Sequence, residues 1–270
     1  MSFNGPKQEW IEYRKTQESL FKNIWNEFNE WIMSKGCPSL PYLQLMHVSP
    51  FGTIYMYPKE LDFPIVYPDN WLGVDNFIRS GENDEILKGG KFQIPNDFLF
   101  KQGKLVYFSM GTLACGDLNM MRKIVSILSK SPNKFIVSKG PLGDQLELYD
   151  NQIGANTLPQ VSILNQVDMV ITHGGNNTIT EIFYYGKPMI VVPIFADQFD
   201  NAQRVDECGF GKKINAYHCT EKELLDAIQF VLYDENIKRN MKLASERIKK
   251  DQINNHQKIV QLVEKVFDKK

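Results

Sequence analysis

Apolar positions fall into two textures along the chain. Between residues 7 and 35, Trp10, Tyr13, Phe21, Ile24, Trp25, Phe28, Trp31 and Ile32 recur at intervals of three and four, the spacing of one helical face. Gly36 and Pro38 stop that helix. The stripe reads first as a core face, with an aromatic ligand platform as the alternative. Residues 37–75 hold short strand-like pieces broken by prolines, PYLQLMHVSP, TIYMYP and FPIVYP. Residues 79–103 are rich in turn formers and read as a linker or domain edge.

From Lys104 onward the pattern changes. Short apolar runs, LVYFSMG (105–111), KFIVSKG (134–140), DMVITH (168–173) and PMIVVP (188–193), predict strands, and GKKIN (211–215) a further short one. Between them lie helical patterns at 118–130, 177–186, 199–209 and 221–234, and a long charged helix is expected to about Val266. The runs do not alternate polar with apolar, so these strands are covered on both faces. Strands alternating with helices predict an α/β fold around a parallel sheet.

Composition narrows the classes. Hydrophobic residues make up 43% and charged residues 23%, ordinary for a soluble globular chain. Lys plus Arg total 31 against 32 for Asp plus Glu, a net charge of -1, which supplies no global attraction to nucleic acid. The apolar runs are far short of the roughly 20 residues a membrane span needs. The start, MSFNGPKQEW, lacks the apolar core of a secretory signal. Cys37, Cys115, Cys208 and Cys219 show no metal-site spacing and read as reduced thiols, so a cytoplasmic location is expected.

Candidate chemistry concentrates at two strand ends, where open parallel sheets bind ligands. One is Ser109-Met110-Gly111-Thr112. The other is ITHGGNNTITE (171–181). Gly174 and Gly175 allow a tight turn, and Asn177 and Thr178 open a helix whose N–H groups and dipole favour a phosphate. His173 adds a donor, and Glu181 one turn on suits sugar hydroxyls. Thr178-x-x-Glu181 equally fits a capping box. In the following FADQFDNAQ, Asp197 and Gln198 suit vicinal hydroxyls, although Asp197 or Asp200 also fits a helix cap.

The block HGGNNTITEIFYYGKPMIVVPIFADQFDNAQRVDECGFG (173–211) resembles the signature of the UDP-glycosyltransferase family, inverting enzymes with the two-Rossmann-domain GT-B fold. LVYFSMGT (105–112) and LPQVSIL (158–164) are similar to two other segments of its donor domain, and the likeness covers roughly residues 95–266. The resemblance implies one complete Rossmann-like donor-binding domain at 91–270 and a partial acceptor-side domain at 1–90. It implies that His173 touches the donor's diphosphate and that Asn177 and Thr178 hold the outer phosphate, with Gly175 giving room. It places Glu181 on the ribose, Asp197 and Gln198 on the transferred sugar, and Gln160 near the uracil. Ser109, Gly111 and Thr112 line the phosphate crevice. A UDP-sugar is the implied donor and a small lipophilic molecule the acceptor, as in soluble bacterial-type members, with no metal cofactor.

Two positions depart from the family pattern. Thr157 stands where a base-stacking Trp is usual. The acceptor-side domain is represented only in its last part, and the family's early catalytic histidine has no match. His47, in QLMHVSPFG, is the only early histidine and lacks that context. Three readings follow: a glycosyltransferase, a donor-binding subunit needing a partner chain, or a non-catalytic nucleotide-sugar binder. A partial amino-terminal domain would leave its aromatic stripe partly exposed, so self-association is expected.

Overall fold

The computed structural model describes residues 6–78 and 92–267. Helix α1 (Lys7–Ser34) follows the predicted spacing, but Asn29 is its one buried residue. Ile24 is 52% and Trp31 57% exposed, which corrects the core-face reading of the stripe. The chain then doubles back. The Trp25 indole donates to the Pro41 carbonyl (3.0 Å), and Asn29 Oδ1 accepts from the Leu40 amide (2.8 Å).

Of the strand-like pieces quoted in 37–75, only TIYMYP forms a strand, β1 (Thr53–Met56), which pairs parallel with β2 (Trp71–Val74), outside those pieces, in a two-stranded sheet. Residues 79–91, most of the expected linker, lie outside the described part. Helix α2 (Asn96–Leu99) falls in the remainder.

Strands β3 (Leu105–Ser109), β4 (Lys134–Ser138), β5 (Gln152–Ala155), β6 (Met169–Thr172), β7 (Met189–Val191) and β8 (Gly211–Lys213) make the main sheet. Its order is β5-β4-β3-β6-β7-β8, with every pairing parallel. The chain steps outward from β3 to β5, returns to β6 beside β3, and steps outward again. The switch point therefore lies between β3 and β6, where Ser109 pairs with Thr172. Phe108, Ile136, Ile171 and Ile190 are fully buried, as continuous apolar strands require. Each such side chain contributes about 1.5–3 kcal/mol of burial.

Between the strands run α3 (Gly111–Ala114), α4 (Leu118–Leu128), α5 (Gln160–Leu164), α6 (Asn176–Tyr185) and α7 (Gln198–Glu207). Asp117 caps α4 by accepting from the Met120 amide (3.0 Å). After β8 come α8 (Glu221–Tyr233), α9 (Glu235–Lys250) and α10 (Gln252–Phe267). The boundary expected at 234 is made by Asp234, which ends α8 in an extended conformation and caps α9 through the Ile237 amide (2.8 Å). The single long helix expected beyond it is divided at Asp251, the C-cap of α9, into α9 and α10. Among the described residues no helix is long and apolar enough to cross a membrane.

Candidate functional site

A cleft of about 960 Å³ opens at the carboxyl ends of the central strands. Ser109, Gly111, Thr112, Gln160, His173, Gly175, Asn177, Thr178 and Glu181 all line it. Residues as far apart as Ser109 and Glu181 thus meet at the sheet's switch point.

The centre of the cleft is built around His173. Its ring sits between two glycines: a β-carbon on Gly111 would fall 2.7 Å from Cε1, and one on Gly175 2.6 Å from Nε2. Gly111 also has φ +69°, a conformation that disfavours other residues. Burial lowers the His173 pKa, while a hydrogen bond to the Ser109 backbone and the Asp197 carboxylate oppose the shift. The net direction keeps the imidazole neutral.

Helix α6 begins one residue earlier than expected, at Asn176, with Gly175 as its N-cap and no side-chain cap. Thr178 is therefore inside the first turn, and the capping-box reading of Thr178 and Glu181 does not hold. With no side chain capping them, the first-turn N–H groups and the positive end of the helix dipole are available to an anion. Glu181 is 4% exposed and accepts from Gln160 Nε2 (2.6 Å), which also lies 3.4 Å from Thr178 Oγ1. Helices α5 and α6 thereby present an amide and a carboxylate side by side, a pairing suited to vicinal hydroxyls.

The floor is Tyr107. Burial pushes its pKa up to about 12, opposed by the neighbouring Ser109 and Ser138 hydroxyls. Asn156, Thr157 and Leu158 line the same cleft, so Thr157 stands at the wall without offering a ring to a base.

Asp197 and Gln198 lie beside this cleft and not in its lining. Gln198 is buried, and its Oε1 accepts from the Ile194 and Phe195 amides (2.9 and 3.2 Å). It staples a loop in which Ala196 takes φ +53°. Asp197 is the N-cap residue of α7 but makes no side-chain cap; its Oδ2 accepts from Asn201 Nδ2 (3.2 Å). The structure does not bring His47 to the cleft: it is exposed on the segment after α1.

Two polar residues escaped the sequence reading. Asn201 is buried and donates to the Gly174 carbonyl (2.8 Å), tying α7 to the glycine turn. Asn176 donates to the Met56 carbonyl (2.7 Å), joining β1 to the start of α6. The polar run NNTIT gave only a helix start, with no hint of a partner so distant in sequence.

The family profile described as UDP-glucoronosyl and UDP-glucosyl transferase matches residues 99–269. The chain belongs to this family. It is 27% identical over 263 residues to UDP-glucuronosyltransferase 2A1 of Mus musculus, covering 93% of this chain and 47% of the relative. It is 36% identical over 156 residues to UDP-glucuronosyltransferase 2A3 of Homo sapiens, covering 55% of this chain and 28% of that one. Among solved structures it resembles CalG4, the calicheamicin glycosyltransferase, with TM-score 0.67, 14% identity and coverage of 97% of this chain and 65% of that one. The fold is thus of the GT-B type, with a six-stranded parallel sheet and the smaller two-stranded sheet β1–β2. The chain spans less than half the length of these curated UDP-glycosyltransferase relatives.

Proposed function

We propose that this member of the family binds a UDP-sugar in the His173 cleft and transfers its hexose, with inversion, to a small apolar acceptor. The observation that carries the reading is the convergence of the uncapped start of α6, neutral His173 and the Gln160–Glu181 pair in one cleft. The α6 N–H groups and His173 would meet the diphosphate, and Glu181 with Gln160 the ribose. Asp197, held by Asn201 within electrostatic reach of His173, would meet the sugar beyond it.

In the reaction, the acceptor's oxygen bonds to the anomeric carbon from the face opposite the phosphate. The carbon–oxygen bond to the diphosphate breaks, UDP leaves with the electron pair, and the acceptor's proton passes to a general base. Negative charge grows on the departing phosphate. Pre-aimed N–H donors at a helix start stabilise such charge without reorganisation. We assign the whole of that stabilisation to these donors. Among the described residues that line the cleft, Glu181 is the one carboxylate, and it is engaged with Gln160. Transfer is accordingly expected to survive chelation by EDTA. A reducing, cytoplasmic setting suits the free thiols.

The test is calorimetric titration of UDP and UDP-glucose into the wild type, His173→Ala and Glu181→Ala, followed by a transfer assay. Binding lost in both variants supports the site. Binding without turnover would reduce the reading to a donor-binding chain. A wild type that binds no nucleotide would overturn it.

A further inference from the structure

The rim of the cleft contains two residues from the amino-terminal segment, Met56 at the end of β1 and Phe77 just beyond β2. Their positions depend on side chains far along the chain. At the cleft end, Asn176 holds the Met56 carbonyl. Alongside, Arg204 donates to the Leu61 and Asp62 carbonyls (2.8 and 3.2 Å). At the outer end, Arg247 of α9 grips both strand extensions at once. Its guanidinium bonds the two Glu60 oxygens (2.6 and 2.7 Å) and Asp75 Oδ2 (2.6 Å). Asp251, bound also to Lys59 (3.2 Å), approaches the same guanidinium at 3.4 Å. Asn255 of α10 donates to Asp75 Oδ1 and Asn76 Oδ1 (3.4 and 3.2 Å).

The geometry of this cluster is directional. Glu60 follows Met56 by one short turn, and Asp75 and Asn76 lead directly into Phe77. Asp75 is fully buried and Asn76 is 2% exposed, so neither can drift into solvent without breaking the cluster. A guanidinium held bidentately by Glu60 and bonded through Nη2 to the buried Asp75 carboxylate is a stiff joint. Phe77 is braced further by an edge contact with His256 of α10 (5.3 Å between ring centres). Arg247, Glu60 and Asp75 themselves stand outside the cleft lining, whose residues at 107–112, 138–141 and 156–181 belong to the larger sheet and its helices, with Asn176 the link to β1.

We propose that Arg247 is a positioning residue that sets the Met56–Phe77 rim against the phosphate corner and so governs recognition of the sugar end of the donor, not of the nucleotide. The proposal rests on the donor-site reading above. Arg247 lies outside the cleft lining and acts only through Glu60 and Asp75.

The test compares wild type, Arg247→Lys and the double variant Arg247→Met/Asp75→Asn, which removes the guanidinium together with the fully buried carboxylate and leaves the partly exposed Glu60 to water. Hydrogen exchange is followed at residues 53–56 and 71–74, and dissociation constants are measured for UDP and UDP-glucose. In the double variant, exchange in these two strands is expected to quicken while β3 and β6 stay protected. UDP affinity should hold within about twofold, and the advantage of UDP-glucose over UDP should fall about fivefold to tenfold, the range of ordinary coupling between sites. Arg247→Lys should lie between, since it keeps the charge and loses the fork. Equal losses for UDP and UDP-glucose, or unchanged exchange at 53–56 and 71–74, would overturn the proposal. A wild type that binds neither ligand would overturn the donor reading, and with it the sugar-side role, even if the variant's exchange quickened.

Discussion

Gly111 and His173 occupy adjoining space so closely that a β-carbon on the first would stand 2.7 Å from Cε1 and 2.8 Å from Nε2 of the second. The loop after β3 and the turn after β6 are thereby fitted to each other at the switch point of the sheet. Gly111→Ala meets two costs at once, the left-handed backbone at φ +69° and the imidazole. The first alone is about 1–2 kcal/mol. The variant should lose about 2–3 kcal/mol in all, lowering Tm by several degrees, and should bind UDP at least tenfold more weakly because His173 is displaced. Thermal melting and calorimetry check this. A variant with unchanged UDP affinity would show that the His173 position is not used.

The His173 ring also carries a pH signature. Burial lowers its pKa from the ordinary value of about 6.5. The folded state then binds this proton less readily than the unfolded chain. Its contribution to stability is present above pH about 6.5 and is lost as pH falls through the folded value. Urea midpoints of the wild type should drop more between pH 7 and pH 5 than those of His173→Gln. NMR titration should place the imidazole midpoint below the ordinary value in the free protein. Bound UDP should raise it, since a diphosphate favours the imidazolium. A free midpoint at or above the ordinary value would contradict the neutral assignment.

Gln160 and Glu181 make a second checkable pair. Gln160→Glu would set a carboxylate against the buried Glu181 oxygen that now accepts at 2.6 Å. Like charges so placed disfavour ionisation of both. The variant is expected to be less stable at pH 8 than at pH 5 and to lose UDP affinity by at least tenfold at pH 8. Gln160→Met, which only removes the donor, should cost about 1–3 kcal/mol and show little of that pH dependence. Denaturation at the two pH values separates them.

These residues also show what could be read in advance. The runs at 105–111, 134–140, 168–173 and 188–193 were legible because a strand covered on both faces leaves no polar interruption. β5 was not, because Gln152 and Gly154 break the pattern; Gln152 is buried and donates to the Val125 carbonyl (2.7 Å). A polar residue satisfied by a distant partner looks, in sequence, like a surface residue. The same reason hid Asn176, Asn201 and Arg247, whose partners belong to other elements. The glycine turn and helix start at 173–178 were legible since their signal is local, a strand end, two glycines and a helix start. The stripe of α1 misled because periodicity reports an apolar face and cannot say what covers it.

Gln198 illustrates a role that residue type alone does not distinguish. Its Oε1 accepts from the amides of Ile194 and Phe195, bracing the loop that holds Ala196 at positive φ and presents Asp197. Gln198→Ala would leave two N–H groups without that acceptor, at about 1–3 kcal/mol. Gln198→Glu keeps the acceptor. If the staple is what matters, Gln198→Glu should retain most of the stability that Gln198→Ala loses, measured by urea unfolding. Equal loss in both would shift the weight to the Gln198 amide group itself.

The exposed stripe of α1 yields the last expectation. Ile24, Trp31 and Met33 stand at 52%, 57% and 48% exposure, and Met46 and Phe51 on the returning segment at 81% and 61%. Aromatic and aliphatic surface of this density is usually covered by another molecule. The chain should therefore self-associate as its concentration rises. Ile24→Lys together with Trp31→Glu should return it to a monomer without changing UDP binding, because neither residue touches the cleft. Light scattering over a dilution series reads the outcome. A wild type that stays monomeric at every concentration would show that the stripe of α1 drives no self-association.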